Sequence, residues 1–180
     1  ILQLMKKKVK ILKNKGILFW ITGLSGSGKT SISKKIFPLI KKRFGPTILI
    51  SGDELRSIFD LNKYDRLSRL KNALSYSHLA KHITDQGINI IINIISMSET
   101  VRKLNRKKIS NYIEIYIEAD LNEIIKKGKK KIYKSKKNLI GKDIKAEFPK
   151  KKNIKIKNKF NNSVNQLSIE LIKEISKVIK

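Results

Sequence analysis

The chain contains no cysteine and only two histidines. Disulfides and thiolate metal sites are therefore excluded, and the absence fits a reducing compartment. His78 and His82 stand four apart on a helical stretch, but no Glu lies between them in a metalloprotease pattern and no third ligand accompanies them. Acidic residues are scarce: 14 Asp and Glu oppose 42 Lys and Arg, a formal charge of +28. Long apolar runs are missing too. The longest, "INIIINII" at 88–95, falls short of the ~20 residues that span a bilayer and carries two asparagines. No membrane partner is expected. The opening, "ILQLMKKKVKILKNKG", has no apolar region followed by small residues, so a cytoplasmic location is expected.

What is present is enough for one domain with a proper core: 180 residues, 40% hydrophobic. The positive charge is spread along the chain together with abundant Ile and Asn, as AT-rich codon usage produces. No lysine block alternates with stacking aromatics, so nucleic-acid binding is not expected as the main role. The charge should still draw anionic substrates.

Apolar runs alternate with helical patterns. "GILFWIT" (16–22), "PTILISG" (46–52) and "INIIINIIS" (88–96) are nearly continuous hydrophobic runs, as strands buried on both faces of a parallel sheet require. "YIEIYIE" (112–118) alternates, and "NIKIKN" (153–158) is a weaker fifth strand. Helices are expected at 28–43, 65–86, 99–109, 120–127 and 163–179, with Gly87 capping the second. Strand–helix alternation with short connections indicates a parallel α/β domain at 16–180, preceded by a basic N-terminal arm at 1–15. Residues 126–152, "KKGKKKIYKSKKNLIGKDIKAEFPKKK", are basic and poor in core residues. They read as a lid over phosphates or as a solvated loop.

The sharpest signal is Gly23-Leu24-Ser25-Gly26-Ser27-Gly28-Lys29-Thr30, which fits G-x-x-x-x-G-K-[ST] at every fixed position. It follows an apolar strand and opens a helix, the context that confirms the pattern. The glycines let backbone N–H groups turn inward around phosphate oxygens, and the helix N-terminus adds partial positive charge. Lys29 is placed to bridge the β- and γ-phosphates of ATP, and the Thr30 hydroxyl to ligate Mg²⁺. Asp53 falls just past the second strand, at the sheet edge where ligands of open α/β sheets bind. A carboxylate there accepts a proton from an attacking hydroxyl or helps hold Mg²⁺, or simply caps a helix. Arg56 lies one turn later.

These segments resemble the adenylylsulfate kinases, which move the γ-phosphoryl of ATP to the ribose 3′-hydroxyl of adenylyl sulfate. "ITGLSGSGKTS" looks like that family's loop, and "SGDELR" is similar to its D-G-D-x-x-R, placing the catalytic aspartate on Asp53 and a substrate-binding arginine on Arg56. "YDRLSRLKN" carries the family's aromatic, arginine and asparagine onto Tyr64, Arg69 and Asn72. By resemblance the aromatic stacks on the substrate base and the arginine binds its oxyanion end, which suits a ring and a guanidinium. The serine ending the third strand falls on Ser96, and the lid lysine and tyrosine on Lys130 and Tyr133. The resemblance implies a P-loop NTPase fold: a five-stranded parallel sheet of order 2-3-1-4-5, helices on both faces and a basic lid. Relatives often pair, and the sequence leaves a homodimer open.

The chain departs from the pattern at Ser51, Met97, Gly128, Lys129 and Lys131. All five lie on the acceptor side or the lid, while the ATP half is intact. The resemblance makes adenylyl sulfate the first expected acceptor; because the departures touch the acceptor side and not the ATP half, another small nucleotide such as cytidine diphosphoramidate, used in decorating bacterial capsules, is the alternative. A nucleotide-dependent switch or regulatory ATPase is the rival from another class, although no segment marks a γ-phosphate reporter.

Overall fold

The computed structural model describes residues 9–95, 97–127 and 139–179. Five strands, β1 (Leu18–Thr22), β2 (Thr47–Ser51), β3 (Asn89–Ile94), β4 (Tyr112–Glu118) and β5 (Ile154–Lys157), form one sheet of order β2-β3-β1-β4-β5. Every pairing is parallel. The expected order and the expected strands are therefore present, each trimmed by at most two residues at an end.

Strand alternation explains why both faces are covered. Phe19 and Ile21 of β1 point to one side, with Ile113, Ile115 and Ile117 of β4 and Ile154 and Ile156 of β5. That side is covered by α1 (Lys29–Phe44), through Ile32, Ile36 and Ile40, and by the C-terminal helix, through Leu167, Leu171, Ile175 and Val178. Leu18, Trp20, Ile90, Ile92 and Tyr112 point to the other side. There they meet Leu55, Ala73, Tyr76, Ala80 and Val101 from α2 (Gly52–Ile58), α3 (Arg66–Asp85) and α4 (Glu99–Lys108). Each fully buried Ile or Leu contributes roughly 1.5–3 kcal/mol, so these two layers dominate the stability. A short α5 (Leu121–Lys126) follows β4, and α6 (Val164–Val178) closes the chain.

Helix ends follow the local chemistry. The Asp65 side chain caps α3, and α6 opens with a Ser163–Gln166 capping box. Gly87, at φ 81°, ends α3 by donating to Thr84 O, while Ile88 N reaches Ile83 O. Pro38 lies within α1 on its solvent face, where water can serve the carbonyl left without a donor. The helix α2 was not expected from periodicity. At seven residues it is too short for a repeat, but Ser51 and Glu54 form a reciprocal capping box at its start. The Ser51 hydrogen bonds hold the Glu54 carboxyl below its usual range.

Asparagines tie the layers together. Asn89 accepts from Ile17 N (2.9 Å) and donates to Phe44 O (2.9 Å). Asn111, fully buried, accepts from Leu12 N and donates to Leu12 O and Lys15 O at 2.8–2.9 Å. It fastens the end of the basic arm to the sheet, and Val9 bridges to Ile179 further back. No helix among the described residues is long and apolar enough to cross a membrane.

Candidate active site

The loop Gly23–Thr30 leaves the carboxyl end of the central strand and enters α1, as expected. Gly26 and Gly28 take φ of 82° and 94°, a left-handed backbone that aims successive N–H groups to one side. Lys29 is buried, and its Nζ donates to Leu24 O (2.6 Å) and approaches Ser27 Oγ (3.5 Å). Thr30 Oγ1 donates to Asn93 Oδ1 of β3 (3.2 Å), while Ser33 Oγ donates to Lys29 O (2.7 Å). Ser25 and Ser27 are buried in the loop.

Asp53 sits in the first turn of α2 and is exposed. Its position is set by the sheet: Ser51 pairs with Asn93, the residue that holds Thr30. A Cβ on Gly52 would contact Ile94 Cγ1 at 3.2 Å, so the start of α2 rests on the end of β3. The loop threonine and the aspartate thus belong to neighbouring connections over the same strand end.

Arg56, Tyr64 and Arg69 form one cluster. The Arg56 guanidinium lies 4.3 Å from the Tyr64 ring centroid and that of Arg69 lies 5.3 Å from it. Arg56 Nη1 donates to Leu61 O and Lys63 O (3.2 Å each), and Arg69 Nε donates to Tyr64 O (2.7 Å). Burial, followed by the charge of Arg56, lowers the Arg69 pKa. Asn72 lies one turn beyond Arg69 on the same side of α3 and is half-buried. Ser96, Lys130 and Tyr133 lie outside the described residues.

Three features escaped the sequence reading. Asn158, after β5, donates from Nδ2 to Ser27 O (3.1 Å) and accepts at Oδ1 from Phe160 N (2.9 Å), bracing the phosphate loop from outside. A cavity of about 260 Å³ opens beside it, lined by Glu118, Asp120, Glu123, Lys157 and Lys159 among others. The third is an apolar cluster of Leu24, Met97, Tyr116, Ala119, Ile124, Leu139 and Ile140 at the carboxyl edge of the sheet. Leu139 and Ile140 belong to the segment expected to be poor in core residues. Their signal was two apolar residues before a glycine, hidden in a lysine-rich run. The asparagines had a clearer one: Asn89 and Asn93 interrupt an otherwise apolar strand. Among the described residues no cluster of three or more His, Cys, Asp or Glu could hold a metal ion.

A G-x-x-x-x-G-K-T cradle at the carboxyl end of a β2-β3-β1-β4-β5 parallel sheet, with Asp53 on the neighbouring connection, defines a nucleoside-triphosphate-dependent phosphotransferase. Comparison with known proteins narrows the class. The sequence profile described as adenylylsulphate kinase matches residues 15–157, and the chain belongs to that family. It is 37% identical over 166 residues to the cytidine diphosphoramidate kinase of Campylobacter jejuni, covering 89% of this chain and 96% of that protein. It is 32% identical to the adenylyl-sulfate kinase of Clostridium acetobutylicum over 84% of this chain and 79% of the other. The APS kinase of Mycobacterium tuberculosis, solved in complex with AMPPNP and APS, superposes with a TM-score of 0.78 at 25% identity over 90% of this chain and 98% of that one.

Proposed function

We propose that this kinase transfers the γ-phosphoryl group of ATP to a ribose hydroxyl of a small anionic nucleotide, with cytidine diphosphoramidate as the acceptor. The observation that carries the reading is the meeting of two connections at the end of β3: Thr30 bonds Asn93, whose pairing partner Ser51 opens the helix that carries Asp53, while Arg56 and Arg69 gather on the Tyr64 ring. The loop Gly23–Thr30 holds the triphosphate, and the base of ATP enters the cavity beside Asn158. The acceptor's charged end pairs with Arg56 and Arg69. Tyr64 and Asn72 seat its nucleoside part, with Ser96 and Lys130.

In the transfer, the acceptor hydroxyl oxygen bonds to the γ-phosphorus. The bond from that phosphorus to the bridging oxygen breaks, and its electron pair leaves with ADP. Asp53 accepts the hydroxyl proton, and Lys29 offsets charge on the phosphates. Mg²⁺ would be held by Thr30 and Asp53; two oxygen donors suit a cation that takes its remaining ligands from phosphates and water. Bound there, it would neutralise phosphate charge.

Cytidine diphosphoramidate is favoured by the near full-length match to the Campylobacter jejuni kinase, together with the departures at Ser51 and Met97 on the acceptor side. Adenylyl sulfate is the second reading, supported by the family match and by the Mycobacterium tuberculosis likeness. The test is acceptor-dependent ADP release with both nucleotides. Asp53→Asn should lower kcat by about 10²–10⁴-fold. The proposal fails if neither nucleotide stimulates ADP release, or if the variant turns over like the wild type.

A further inference from the structure

The segment Leu139–Pro149, which returns the chain toward β5, touches both the phosphate loop and the connection from β3 to α4. At one end, Leu139 O accepts from the N–H groups of Lys142, Asp143 and Ile144, making a compact turn. Gly141 of that turn lies against the phosphate loop: a Cβ there would meet Leu24 Cδ2 at 2.8 Å. At the other end is Glu147. Its backbone N donates to Met97 O (3.0 Å), where the chain leaves β3. Its Oε2 accepts from Glu99 N (2.6 Å), the first residue of α4. The cap residue of that helix, Ser98, makes no side-chain capping bond, so Glu147 supplies the missing acceptor from outside. Its Oε1 meets Arg66 Nη2 (3.4 Å) in the first turn of α3, two residues from Tyr64.

The carbonyl of Glu147 is held as well. Arg102, fully buried, donates from Nη2 to Glu147 O (2.6 Å) and to Glu99 Oε2 (2.8 Å). Arg102 faces the buried Glu114 of β4 at 3.5 Å, and Arg106 pairs with both Glu99 and Glu114. Glu147 is therefore clamped by an ion-pair network rooted in the sheet, while its own carboxylate reaches outward to the acceptor-side helix. Removing a partner from such a network is far costlier than losing an exposed pair.

We infer that Glu147 is a positioning residue for the acceptor: it sets the exit of β3 and the starts of α3 and α4 relative to a segment whose other end rests on the phosphate loop. The inference rests on the kinase reading above. A purely stabilising residue would change the active fraction, and hence kcat, leaving both Michaelis constants alone. A positioning residue on the acceptor side splits them.

The experiment is steady-state kinetics of the full chain with whichever nucleotide the wild type phosphorylates. Glu147→Ala should raise the acceptor KM about tenfold and leave the ATP KM within about twofold, because the starts of α3 and α4 lose their tie while the phosphate loop keeps its own contacts. Glu147→Gln keeps an oxygen for Glu99 N and should recover most of the difference. Arg66→Ala, on a largely exposed side chain, should raise the acceptor KM about threefold and decides the matter if Glu147→Ala does not fold. Equal shifts in both constants, or a change in kcat alone, overturn the inference while leaving the kinase reading intact. A wild-type chain that phosphorylates no nucleotide sinks the kinase reading itself, and the inference with it.

Discussion

Replacing Asn158 by Ala should weaken ATP binding without touching the loop that binds it. The side chain is buried, and its two hydrogen bonds run to Ser27 O inside the loop (3.1 Å) and from Phe160 N (2.9 Å). Each neutral bond is worth about 1 kcal/mol net, and the groups left behind are not freely hydrated, so the fold should lose about 2–3 kcal/mol. Of the two bonds, the one to Ser27 bears on the phosphate end of ATP. It fixes the peptide between two glycines of positive φ, the part of the loop with the most freedom to regain. Loss of that bracing should cost about 1–2 kcal/mol of binding, or roughly 5–30-fold in Kd. Asn158→Asp should do more harm, because it turns a carboxylate oxygen toward the Ser27 carbonyl and adds negative charge beside the triphosphate; about 100-fold is expected. Calorimetric titration with MgATP reads both variants and needs no acceptor. A Kd equal to wild type in a variant that has lost stability would show that the loop holds its shape alone, and would refute the reasoning.

Asn111→Ala removes three partly buried hydrogen bonds that hold residues 12–15, and should cost about 3 kcal/mol in urea unfolding, with an unchanged midpoint refuting the anchor role. Tyr116 is pushed up to about 12, chiefly by burial and then by Glu118. Since the unfolded phenol ionises near 10, its contribution is intact below about pH 10 and is lost at about 1.4 kcal/mol per unit as pH rises toward the folded value. Tyr116→Phe should remove that component from the pH dependence of unfolding between about pH 10 and 12; identical slopes in wild type and variant would contradict it.

The sheet was legible because its chemistry is blunt. Three apolar runs rich in Ile, each followed by a helical repeat, admit few other architectures, and the strand positions came out within a residue or two. The phosphate loop was legible for the opposite reason: its spacing is too specific to arise from packing. What stayed hidden depends on pairs distant in sequence. Arg102 is one arginine in a very basic chain, and Glu114 reads as one half of an alternating polar face. Only folding puts them together, both fully buried. Asn111 and Asn158 disappear into a composition rich in asparagine, and nothing local distinguishes a layer-tying amide from a solvated one. The cluster of Arg56, Tyr64 and Arg69 lay between these cases. Resemblance supplied the residues, and the turn between α2 and α3 brings the two guanidinium groups onto one ring.

The ammonium of Lys29 donates to the carbonyl of Leu24 at 2.6 Å, within its own loop. An incoming ligand must out-compete that carbonyl. A neutral or singly charged oxygen gains little from the exchange, whereas adjacent phosphates carrying several charges gain a great deal. On the kinase reading proposed above, that internal contact favours multiply charged phosphates over weak anions at this end of the site.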